Sequence, residues 1–117
     1  MKKILVINND IDTMSLLKRW LEKRDYLVEF TGSQEKAFSI LKKFTPELVI
    51  IAVFQKDVAI QLKSQSKTQS IPILLMTGYT LRGSNGKVPA DDIIEKPFNL
   101  SLLEKKIENL MNGVVTS

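Results

Sequence analysis

Cysteine and histidine are both missing from the 117 residues. With neither thiolate nor imidazole available, no disulfide can form and zinc loses its usual ligands, so zinc is not expected. The lack of cysteine fits a reducing, cytoplasmic setting. Glycine is scarce too, at five residues, and none falls between Asn8 and Thr13. The first loop therefore lacks the glycine-rich cradle that phosphates and dinucleotides require. Long apolar runs are also wanting. All fall far short of the roughly 18 residues of a spanning helix. Met1-Lys2-Lys3 is followed by only four apolar residues before Asn8, so neither a membrane span nor a signal peptide is expected.

What is present is ordinary for a globular chain: 44% hydrophobic and 26% charged residues. The length suits a single domain over 1–117, with 114–117 as a flexible tail. A net charge of +4 invites the thought of acidic partners. Its carriers are scattered, however. Lys18, Arg19, Lys23, Arg24, Lys42, Lys43, Lys105 and Lys106 are interleaved with Glu22, Asp25, Glu47, Glu104 and Glu108. That is the pattern of solvated helix faces rather than of a stripe tracking phosphates, and nucleic-acid binding is not expected.

Short apolar runs alternate with segments of helical period, which argues for βαβ units around a parallel sheet. Strands are expected at Lys3–Ile7, Leu27–Phe30, Leu48–Val53, Ile73–Met76 and Ile93–Ile94, rich in Val and Ile as burial on both faces demands. A first helix starts near Asp12 or Thr13 and sets Met14, Leu17 and Leu21 inward, and Asp25 takes a left-handed position at its end. A second runs from Ser33 to Phe44 and stops at Thr45-Pro46, and a third runs from Val58 to Ser66 with a thin stripe of Val58, Ala59 and Leu62. The last opens at Asn99 or Ser101, buries Leu103, Ile107 and Leu110, and ends at Gly113. Between the fourth and fifth strands, Gly83-Ser84-Asn85-Gly86 opposes a stable helix, so a helix there is expected to be absent or reduced to one turn.

In open α/β sheets ligands gather at the carboxyl ends of the strands. Here those ends read Asn8-Asn9-Asp10, Ala52, Thr77 and Lys96-Pro97-Phe98. Over nearly the whole chain this arrangement resembles the CheY-like receiver domain of two-component response regulators. The resemblance implies a doubly wound, flavodoxin-like sheet of five parallel strands. In receivers an aspartate after the third strand takes a phosphoryl group, an acidic pair after the first strand holds magnesium, a hydroxyl follows the fourth strand and a lysine the fifth. By motif, the nucleophile falls on Ala52 and the acidic pair on Asn8 and Asn9, while the hydroxyl and lysine persist as Thr77 and Lys96. The aromatic that the family couples to the hydroxyl is replaced by Ile93. The spans from Ala52 to Thr77 and from Thr77 to Lys96 are both shorter than the receiver pattern takes, and Lys96-Pro97 matches a bond that is commonly cis in the family.

Several expectations follow. Alanine has no nucleophilic atom, and two amides are poor magnesium ligands. The strand ends therefore form a degenerate phosphorylation pocket in which Lys96 faces Asn8, Asn9 and Ala52, and catalytic, cofactor and metal residues are all absent. The amides relieve the repulsion that two carboxylates would suffer without a cation, or else record drift after loss of function. Asp10 reads as a cap or loop-ordering residue and Asp57 as a helix cap. The resulting expectation is a pseudo-receiver, not an enzyme. It would act through protein contacts with a kinase, phosphotransfer or output domain, using the first helix and the last helix with the fifth strand. Trp20 and Tyr79 are candidate anchors, with half-buried packing as the other reading of Trp20. Two alternatives stand beside it: a switch that binds an anion or small ligand at Lys96, Thr77 and the amides, and a receiver phosphorylated at a displaced aspartate, Asp57.

Overall fold

The computed structural model describes residues 2–52, 56–77, 89–96 and 98–112. Among them the order is β1 (Lys3–Ile7), α1 (Ile11–Glu22), β2 (Leu27–Thr31), α2 (Gln34–Leu41), β3 (Leu48–Ala52), α3 (Lys56–Ser64), β4 (Ile73–Thr77), β5 (Asp92–Glu95) and α4 (Leu100–Met111). The strands form one parallel sheet in the order β2-β1-β3-β4-β5. The chain leaves β1 toward one edge and returns past it to β3, so the carboxyl ends of β1 and β3 flank the crevice of a doubly wound sheet.

Alternation along each strand sends side chains to two separate cores. On one face Ile4, Val6, Ile50, Leu74 and Ile94 meet Leu17, Trp20 and Leu21 of α1 and Leu103 and Ile107 of α4. On the other, Leu5, Ile7, Val49, Ile51, Ile73 and Leu75 meet Ala37 of α2 and Val58, Ala59 and Leu62 of α3. Fully burying one such aliphatic side chain stabilises the fold by roughly 1.5–3 kcal/mol. Burial on both faces holds for β1, β3 and β4 only. The edge strands expose Leu27 (46%) and Ile93 (39%) because a neighbour is missing on one side.

The caps explain where the helices begin. Ser33 Oγ accepts from Lys36 N, and Asn99 Oδ1 accepts from Leu102 N at 2.6 Å, fixing α2 and α4. For α1 the cap is Asp10 rather than Asp12 or Thr13. Asp25 has φ 63°, the left-handed conformation that lets the chain turn into β2. Helix α3 starts two residues before Val58, which places Asp57 inside its first turn rather than at a cap. Helix α2 ends at Leu41, three residues short of Phe44.

The described residues contain four helices. The segment where a reduced helix was expected, Leu81 to Lys87, lies outside the described residues, as do Val53, Tyr79, Pro97 with its expected cis bond, Gly113 and the 114–117 tail. No helix among the described residues is long and apolar enough to cross a membrane.

Candidate functional site

Sheet register brings the singled-out residues to one edge. Ile7 pairs with Ile51, Ala52 with Met76, and Thr77 with Glu95, so Asn8, Ala52, Thr77 and Lys96 lie at or just beyond adjacent strand ends. Asn8 is 2% exposed; its Oδ1 accepts from Asp10 N at 2.8 Å, and its backbone N–H donates to Thr31 O at 2.9 Å. The amide thus orders the turn into α1. Asn9 is exposed at the rim. Ala52 and Thr77 are buried, and the Thr77 carbonyl accepts from Lys96 N at 2.7 Å. Ile93 sits lower on the edge strand, paired with Leu75 and outside both buried clusters.

Lys96 does not face the amides and Ala52 alone. Its Nζ donates to Thr13 Oγ1 at 2.9 Å and lies 3.4 Å from Asp10 Oδ2. The Thr13 hydroxyl in turn donates to the same Asp10 oxygen at 2.6 Å, while Asp10 Oδ1 accepts from Asp12 N at 3.2 Å. The expectation of a lysine left among neutral groups is corrected by this contact. Asp10 both caps α1 and supplies the counter-charge. The Thr13 hydrogen bond, with help from Lys96, holds its carboxyl below the usual 3.8 against the opposing effect of desolvation.

No family model matches the chain. It is 30% identical over 115 residues to the transcriptional regulatory protein CpxR of Escherichia coli, aligning 95% of this chain and 50% of CpxR. The chain spans about half the length of the curated relatives it matches. Among solved structures, the signal receiver domain of a histidine kinase from Syntrophus aciditrophicus superposes with a TM-score of 0.86 at 25% identity, covering 100% of this chain and 95% of that one. The response regulator TrrA of Thermotoga maritima, solved in complex with Mg(2+)-BeF, gives 0.82 at 27% identity, covering 94% and 99%. The fold is that of a CheY-like receiver domain.

Within this fold the other candidate features stand apart from the strand ends. Asp57 is exposed in the first turn of α3, where a carboxylate complements the helix dipole. A cavity of about 460 Å³ opens between the end of α2 and the loop before β4, with Pro46 and Ile71 in its walls. It lies at the amino ends of the strands, opposite the crevice. Trp20 is only 7% exposed and belongs to the core, so it is not a free anchor.

Two residues of the edge were not singled out in advance. Thr13 was considered only as a cap, and its role as the bridge between Asp10 and Lys96 depends on a contact spanning 83 positions. Gly32 follows β2, and a Cβ there would meet Asn9 Cβ at 3.2 Å, so a larger residue would press on the first loop.

Proposed function

We propose that this chain is a receiver domain of the pseudo-receiver kind, a protein-interaction module of a two-component or related signalling system that works without being phosphorylated and is not an enzyme. The observation that carries this reading is Ala52. Strand β3 ends there in a buried methyl group, beside Asn8, where a receiver needs its nucleophile. The donor set also fails to fit magnesium. Asn8 and Asn9 are neutral, the Ala52 side chain has no donor, and the carboxylate that follows them, Asp10, is already bonded to an ammonium and a hydroxyl. With neither nucleophile nor ion, the signal is carried by a surface whose shape does not depend on a phosphoryl group.

The partner is a kinase, phosphotransfer or output domain, met through α1 or through α4 with β5. Ile11 and Leu102 are exposed on these elements, at 78% and 42%. The ligand-switch alternative is weakened by the engagement of Lys96, and the displaced-aspartate alternative by the place of Asp57 within a helical turn. Beryllofluoride with magnesium, followed by amide NMR, separates the three. No shifts are expected at Asn9 or Lys96. Saturable shifts there that need both reagents would overturn the proposal, and shifts centred on Asp57 would favour a displaced acceptor.

A further inference from the structure

Asp10 caps α1 and Thr13 lies in its first turn, whereas Lys96 follows β5. Their three side chains close a triangle of 2.6, 2.9 and 3.4 Å contacts. Thr13 is nearly buried, and its hydroxyl is committed twice, as donor to Asp10 and acceptor from Lys96. The lysine side chain is 32% exposed, so small oxyanions from solvent can reach it and must compete with Asp10. We infer that Asp10, positioned by Thr13, is a resident counter-anion for Lys96 that keeps this edge of the sheet closed to small oxyanions. The clasp also ties the start of α1 to the turn after β5, across 86 positions. It does not depend on the pseudo-receiver reading, because it concerns Lys96 whether or not another aspartate is phosphorylated.

The substitution Asp10→Asn isolates the charge, since asparagine caps a helix about as well as aspartate and can still accept from a hydroxyl. The probe is inorganic phosphate, titrated at constant ionic strength and followed at the Lys96 side-chain and Asp12 amide signals. The wild-type domain is expected to show at most weak, unsaturated shifts. D10N should bind phosphate on the order of fivefold more tightly, as loss of one competing charge at this separation in a hydrated site implies. Adding K96Q to D10N should abolish that binding. Equal affinity in wild type and D10N, or no binding by D10N, would overturn the inference. If D10N fails to fold, the wild type decides alone. A nuclear Overhauser contact between the Lys96 ε-methylene and the Thr13 methyl is expected, and its absence would overturn the inference. A beryllofluoride response with this contact intact would instead count against the pseudo-receiver reading alone.

Discussion

Ala52 and Asp10 act at the scale of single atoms, one by having no oxygen and the other by having two. Giving Ala52 a carboxylate supplies a nucleophile but no ion. Ala52→Asp alone is therefore expected to take no label from acetyl phosphate with magnesium, as read by intact mass; efficient labelling would mean that Asn8 and Asn9 suffice for the metal. Asp10 has a titration consequence of defined sign. Its folded-state carboxyl lies below the ordinary 3.8, so the folded state favours the charged form. The stabilisation is present above about that value and fades as pH falls through the lowered folded value. Urea midpoints of wild type and D10N should thus differ most near neutrality and converge as pH falls below the lowered folded-state value. The cap was only partly legible in the sequence. Asp10, Asp12 and Thr13 are all capping types in one short run, and what distinguishes Asp10 is a lysine that meets it only after folding. For Trp20 the spacing favours the packed alternative, because Leu17, Trp20 and Leu21 share the three- and four-residue spacing of a buried stripe.

Among the elements, the strands were the most readable, since unbroken runs such as Leu48–Ala52 have only one environment that suits them, the interior of a parallel sheet. Their edges were not. Leu27 and Ile93 look as apolar as their neighbours, and exposure depends on strand order, which no local pattern encodes. How β5 is held in place was equally hidden. Asp91 Oδ2 accepts from Ile73 N at 2.7 Å and from Lys63 Nζ at 2.9 Å, while Lys63 also donates to the carbonyls of Ile71 and Gln69. Asp91 N returns a bond to Ile73 O at 2.9 Å. One lysine from α3 and one aspartate before β5 thereby fasten the entry to β4 from both sides. Asp91→Ala removes the acceptor of a buried backbone N–H and is expected to cost about 1–3 kcal/mol in urea unfolding. A change within a few tenths would show that water replaces the carboxylate.

At the scale of the whole molecule, two hydrophobic layers clamp a sheet at whose carboxyl edge Lys96 is held by Asp10 and Thr13. On the proposed pseudo-receiver reading, signalling is a matter of which outer faces are offered, and no phosphoryl group changes them. Charge-reversing or polar substitutions on exposed α4 positions such as Leu102 and Lys105 are expected to lower partner binding at least about tenfold, while beryllofluoride and magnesium leave it unchanged in wild type, measured by calorimetry against a captured partner. Unaltered binding by those variants would move the interface elsewhere. The far end of α1 has a consequence of another kind. The sole tryptophan, Trp20, lies in the core, with the Arg24 guanidinium 4.0 Å from its ring and Arg24 paired to Glu104 of α4 at 3.3 Å. Ten helical positions separate it from Asp10, roughly 15 Å along the axis. Its fluorescence is thus an optical gauge of the seam between the first and last helices, bright or quenched as that seam holds or parts, and blind to whatever visits the other end of the helix.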